Sequence, residues 1–143
     1  MGNIIVNAGG AFGDTSLEST VWHLDAPMKA SAAITAKRLV AIGTAGAVAT
    51  AATDGTPSLV VGVAREAASA ADEVVAVTVG GLAEDVPAAG AVAAGDILKR
   101  SVTTAGYVSA TATPAAGEAF AVAINASASN VVDIWVCKSL ALS

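Results

Sequence analysis

The chain has one cysteine, one histidine and very few aromatic residues: two Trp, two Phe and one Tyr in 143. Each scarcity excludes something. A single Cys137 cannot form an internal disulfide and fits folding in a reducing compartment. His23 and Cys137, one of each and far apart, cannot supply the ligands of a zinc site. Asp54, Asp72, Asp85, Asp96 and Asp133 are scattered, with no calcium-loop spacing. Basic residues are also few, 7 against 12 acidic, for a net charge of −5. That balance argues against nucleic acid as a partner, because phosphates must be neutralised by Lys and Arg. It argues equally against an anionic membrane surface. No basic segment leads the chain, and Gly9, Gly10 and Asp14 interrupt any apolar run that follows. The uncharged stretch 39–53 is broken by Gly and Thr. Neither a signal peptide nor a membrane-spanning helix is therefore expected.

What the chain does contain is alanine and β-branched residues. Of its hydrophobic 55%, 36 residues are Ala, which buries only a methyl group. Val and Ile together number 26, against 8 Leu, and that ratio favours strands. With so few aromatics, the large side chains that dominate most cores are missing. A single domain of this length with a thin core gains stability from partners that bind only its folded form. An oligomer or a component of a larger assembly is expected.

Short Val- and Ala-rich runs separated by Gly, Thr, Asp and Ser read as strands over 39–42, 48–51, 59–64, 74–79, 81–86, 97–100, 108–110, 119–126 and 131–138. Turn signals lie between them, among them 54–57, Gly80-Gly81, 103–106 and 114–117. The second half repeats the first imperfectly. Gly62-Val63-Ala64 matches Ala121-Val122-Ala123, and residues 74–79 match residues 131–136. Upstream, Leu39 matches Ile97, and Gly46 with Val48 matches Gly106 with Val108. Two copies are too few for a solenoid and suggest two stacked β-units closing one core. The expected fold is all-β, a small β-barrel or sandwich with two imperfectly repeated halves and an extended N-terminal arm.

Residues 1–33 stand apart from this pattern and form the arm, leaving 34–143 as the β-domain. The arm carries Ile4, Ile5, Val6, Phe12, Val21, Trp22 and Leu24, which are the candidate interface residues. Two readings fit it. It lies as an added strand on another subunit, or it pairs within its own barrel. No catalytic, cofactor-binding or metal-binding residues emerge. His23 has no Ser or Asp companion at a spacing used in nucleophilic catalysis. Glu84 and Asp85 are adjacent and would face opposite ways on a strand. The glycines after Ile4-Ile5-Val6 miss the dinucleotide pattern, because Ala8 stands where its first Gly belongs. The basic pairs Lys37-Arg38 and Lys99-Arg100 read as solvated strand ends, or as ion-pair donors to an acidic partner subunit.

Residues 34–138 resemble the capsid cement, or head decoration, proteins of tailed bacteriophages. The likeness rests on the order of segments: Gly-Val-Ala at 62–64, then 72–79, Gly-Gly-Leu-Ala-Glu at 80–84, 92–98, Ala-Val-Ala at 121–123 and 131–136. The resemblance implies a structural virion protein without enzymatic activity or cofactor. Such a protein is made in the host cytoplasm and assembles on the capsid exterior. Its partners are the major capsid protein and itself, commonly as a homotrimer. The alternative is a ligand-binding or trimerisation β-module of a phage fibre, tail or cell-surface protein.

Overall fold

The computed structural model describes residues 23–53, 60–115 and 117–137. Nine strands make one antiparallel sheet: β1 (His23–Lys29), β2 (Leu39–Ile42), β3 (Val48–Thr50), β4 (Val60–Ala64), β5 (Val74–Pro87), β6 (Ile97–Arg100), β7 (Val108–Ala110), β8 (Ala121–Ala123) and β9 (Val131–Val136). A three-residue 3-10 turn over Thr44–Gly46 is the one helical element among the described residues. The fold is all-β, as the strand-forming composition predicts. The strands run β3-β2-β4-β5-β9-β8-β6-β7, with β1 pairing to β5.

That order is a palindrome, because the two halves pair their strands alike. Strands β6, β7, β8 and β9 repeat β2, β3, β4 and β5 in register as well as in sequence. Leu39 and Val40 pair with Val63 and Gly62, while Ile97 and Leu98 pair with Val122 and Ala121. Val63 and Ala64 pair with Thr78 and Val77, while Val122 and Ala123 pair with Trp135 and Ile134. Val40, Ala41 and Ile42 face Thr50, Ala49 and Val48, while Leu98, Lys99 and Arg100 face Ala110, Ser109 and Val108. The copy also takes in β1, whose counterpart is the second half of β5. Met28 and Lys29 pair with Val75 and Val74, and Val86 and Pro87 pair with Val132 and Val131. Each half then curls until the residue after its first strand meets its edge strand, through parallel bridges Ala30↔Val48 and Ala88↔Val108. Two small five-stranded barrels result. Of the two readings of the N-terminal segment, the described part, β1, pairs within its own sheet.

β5 belongs to both barrels. Its first half closes the first, and its second half opens the other. Gly80-Gly81, expected as a turn between two strands, is instead the crossing point of one continuous strand. Gly81 pairs with His23 on one side and Val136 on the other, at φ +86. That left-handed backbone suits a residue without a Cβ. A turn signal read locally loses here to pairing on both edges.

The two barrels keep separate cores rather than sharing one. The first holds Ala30, Ile34, Val40, Val48, Val61, Ala64, Ala68, Val75 and Val77. The second holds the matching Ala88, Val92, Leu98, Val108, Phe120, Ala123, Val132 and Ile134. Barrels this narrow are filled mostly by small side chains, which accounts for the Ala and Val content, and Phe120 is the one aromatic in the two cores. The outer face of the first barrel (Leu39, Ala41, Val60 and Val63) is buried too, in the same cluster as the second barrel's core. This is how one barrel is seated on the other.

Gly62 marks the tightest point. A Cβ there would overlap the Thr78 carbonyl of the neighbouring strand. Its counterpart in the second barrel is Ala121, buried and accommodated. Gly62→Ala is therefore expected to cost about 1–3 kcal/mol by overpacking. Ala121→Gly should cost about 1 kcal/mol or less. Urea unfolding midpoints of the two variants check this ordering.

Candidate functional site

A polar cluster fastens β1 to the first barrel. Asp25 on β1 bulges at the Leu24/Asp25 register shift and turns its carboxylate inward. Thr78 Oγ1 donates to Asp25 Oδ1 at 2.9 Å, and Arg65 Nη1 donates to Asp25 Oδ2 at 2.9 Å. Arg65 also lies 2.5 Å from His23 Nε2. A guanidinium can only donate, so the imidazole nitrogen accepts in this arrangement. Burial pushes the Asp25 carboxyl up. Hydrogen bonds from Arg65 and Thr78, with the charge of the Arg65 guanidinium, more than reverse that and leave it below the usual aspartate range. His23, Arg65 and Thr78 line a shallow cleft with Lys37, Leu82 and Glu84. Charges of both signs meet there and largely satisfy one another. Chemically the cluster is a clamp, tying the start of β1 to the segment after β4 and to β5.

The second constellation joins the barrels. The turn between β6 and β7 reaches back to β2 and β3. Leu39 N donates to the Gly106 carbonyl at 2.9 Å, and Gly106 N donates to the Ala51 carbonyl at 2.9 Å. The Arg38 guanidinium stacks 4.3 Å from the Tyr107 ring centre and donates to the Ala105 carbonyl at 3.3 Å. Arg100 donates to the Ala52 carbonyl at 2.5 Å. Both arginines of the two basic pairs thus bridge one repeat to the other. Lys99 lies 3.5 Å from Glu118 within its own barrel. From the sequence these residues are expected at solvated ends or against a partner subunit; the local signal for the bridge is Tyr107, a rare aromatic beside Gly106.

Of the candidate interface residues, Ile4, Ile5, Val6, Phe12, Val21 and Trp22 lie outside the described residues. Leu24 is on β1 opposite Gly80 and is 65% exposed. Glu84 and Asp85 fall in the β5 bulge between Ala83 and Val86, where Asp85 N donates to Asp133 Oδ1 at 3.0 Å. Among the described residues no three His, Cys, Asp or Glu side chains come together as metal ligands, and no helix is long and apolar enough to cross a membrane. An apolar row on the second barrel had no counterpart in the sequence reading. Ile97, Val122, Trp135 and Leu82 lie side by side across β6, β8, β9 and β5.

The fold so described is a tandem of small antiparallel barrels sharing a strand. It is similar to a solved structure, the crystal structure of the head fiber gp8.5 N base in bacteriophage phi29. The TM-score is 0.57 at 17% identity, over 84% of this chain and 98% of that one. No protein-family model and no curated protein matches the chain. At that identity the likeness establishes a shared fold.

The clamp yields a pH dependence. Asp25 has a lower pKa folded than unfolded, so its contribution is complete above the usual aspartate range and is lost as pH falls through the depressed value. Asp25→Asn should cost about 1–2 kcal/mol at neutral pH. The gap between wild type and variant should narrow toward pH 3. Denaturant midpoints of both proteins at neutral and acid pH measure it.

Proposed function

We propose that the chain is a structural protein of a tailed-phage virion that binds the outer surface of the head and stabilises it as a cement or decoration protein. The observation carrying this reading is the fold likeness to the phi29 head-fibre base, which takes in nearly all of that chain. The segment order of residues 34–138 supports it independently. So does the construction of the molecule. Two narrow cores filled with Ala and Val give each barrel little apolar area to bury, and attachment to a shell adds stability by mass action. In this reading the chain has no enzymatic activity and needs no cofactor. Its partners are the major capsid protein and further copies of itself, as a homotrimer. Residues 1–22, with Ile4, Ile5, Val6, Phe12, Val21 and Trp22, lie on the capsid or a neighbouring subunit. Strand addition suits that role, because backbone hydrogen bonds supply most of the contact.

A second reading is favoured by one observation: the similar structure is described as the base of a head fibre. In that case the barrels attach to the head and carry a projecting element. The two readings differ in what binding does to the particle.

Incubation with purified DNA-free heads of the source phage, followed by sedimentation, tests both. The full chain should co-sediment, and a chain lacking residues 2–22 should stay in the supernatant while keeping its β-sheet circular dichroism. On DNA-filled heads, a cement protein should raise the temperature at which the DNA is released. A fibre base should bind without moving it. Absence of any co-sedimentation by the full chain would refute both.

A further inference from the structure

The clamp that fastens β1 has a counterpart in the second barrel, at the same three places and with the opposite chemistry. Asp25 is paired with Thr78, and Leu82 is paired with Trp135. Thr78 pairs in turn with Val63 on β4, as Trp135 pairs with Val122 on β8. Arg65 N donates to the Ala76 carbonyl at 2.8 Å, and Ile124 N donates to the Asp133 carbonyl at 2.8 Å. Asp25, Arg65 and Thr78 therefore correspond to Leu82, Ile124 and Trp135. In the first barrel a carboxylate, a guanidinium and a hydroxyl satisfy one another. In the second the three side chains are apolar, and the described chain does not close over them. Ile124 is 48% exposed and Trp135 is 42% exposed.

Ile124 lies two residues past Val122 and so shares its face of the sheet. Val122 is paired with Ile97, so the patch runs from Ile97 through Val122 and Ile124 to Trp135 and Leu82. A contiguous exposed patch of this kind marks a contact surface, and Trp is among the residues most enriched at interface centres. The charges at its rim are met within the chain: Asn125 Nδ2 donates to Asp133 at 2.7 Å, and Lys99 lies 3.5 Å from Glu118. The matching surface is therefore apolar. The patch also has a definite place in the chain. Leu82 follows Gly81, the residue paired with His23, and Leu24 next to His23 is 65% exposed. Residues 1–22 thus leave the described fold at the edge of the patch, and a surface held by that segment is brought against Trp135.

Resting on the head-binding reading, we propose that this patch of the second barrel is the face that seats on the major capsid protein, with Trp135 as its central anchor. Five side chains fall well short of the roughly 800 Å² per partner that a stable pair of proteins buries. A second contact on the same partner makes up the difference, and residues 1–22 supply it from the edge of the patch. A shell that repeats the same apolar target many times lets such modest contacts act together.

Co-sedimentation of the full chain with purified DNA-free heads, over a range of concentrations, tests this. Trp135→Glu should weaken binding about 30-fold or more, as loss of a central interface anchor does, and Ile124→Glu about 10-fold. Trp135→Phe should keep most of the affinity. Ile42→Glu, at a 47% exposed position on the first barrel, is the matched control and should bind as wild type does. These positions are exposed, so melting curves should match wild type; should Trp135→Glu melt early, Ile124→Glu decides. A wild type that fails to co-sediment sinks the head-binding reading and this assignment with it. A wild type that binds, with both glutamate variants binding equally well or better, overturns the assignment alone; covering of the patch by residues 1–22 of the same chain would produce that result. An Ile42→Glu chain that binds as poorly as Trp135→Glu overturns it too. Loss of self-association by the isolated Trp135→Glu chain, measured by sedimentation velocity, would give the patch to a second copy and overturn it as well.

Discussion

Backbone pairing along both edges of β5 is what the architecture depends on. This strand takes hydrogen bonds from β1 and β4 in its first half and from β9 in its second. Neither barrel can close without it, and neither can move far relative to the other while it is continuous. The crossing at Gly81 works because a residue without a Cβ can pair on both sides while taking a left-handed φ. Rigidity between the barrels thus comes from main chain, which asks little of side-chain identity. Small residues then suffice elsewhere.

The narrow barrels impose a second economy. Interior positions are mostly Ala or Val, and the largest wholly buried side chains are Leu39, Leu98 and Ile134. Some of the differences between the copies fall at the contact between them. Arg38 and Arg100 bridge the copies, Tyr107 is a stacking surface, and Trp135 stands where the first barrel has Thr78. A protein built this way is suited to repetitive surfaces, where many modest contacts act together.

Much of the fold was legible. The β-branched runs at 39–42, 97–100 and 108–110 became strands at those bounds, because a period of two with flanking turn residues is a local property. The repeat was legible because register conservation leaves matching residues at matching offsets. Less could be read of the site. The arm residues Ile4 to Trp22 were singled out for their composition and lie outside the described part. His23, dismissed as a catalyst, proved to sit in a clamp whose other members, Arg65 and Thr78, are remote in sequence.

By itself the sequence determined strand identity, the twofold repetition and the smallness of the interior, since each follows from local spacing or side-chain volume. Tertiary structure alone decided that Gly80-Gly81 continues a strand, that the two halves keep separate cores, and that Leu39 is covered while Ile97 is not. Alternation tells which residues share a face. Whether anything lies against that face depends on how the second barrel folds back on the first, and the two copies are too alike in pattern to reveal it.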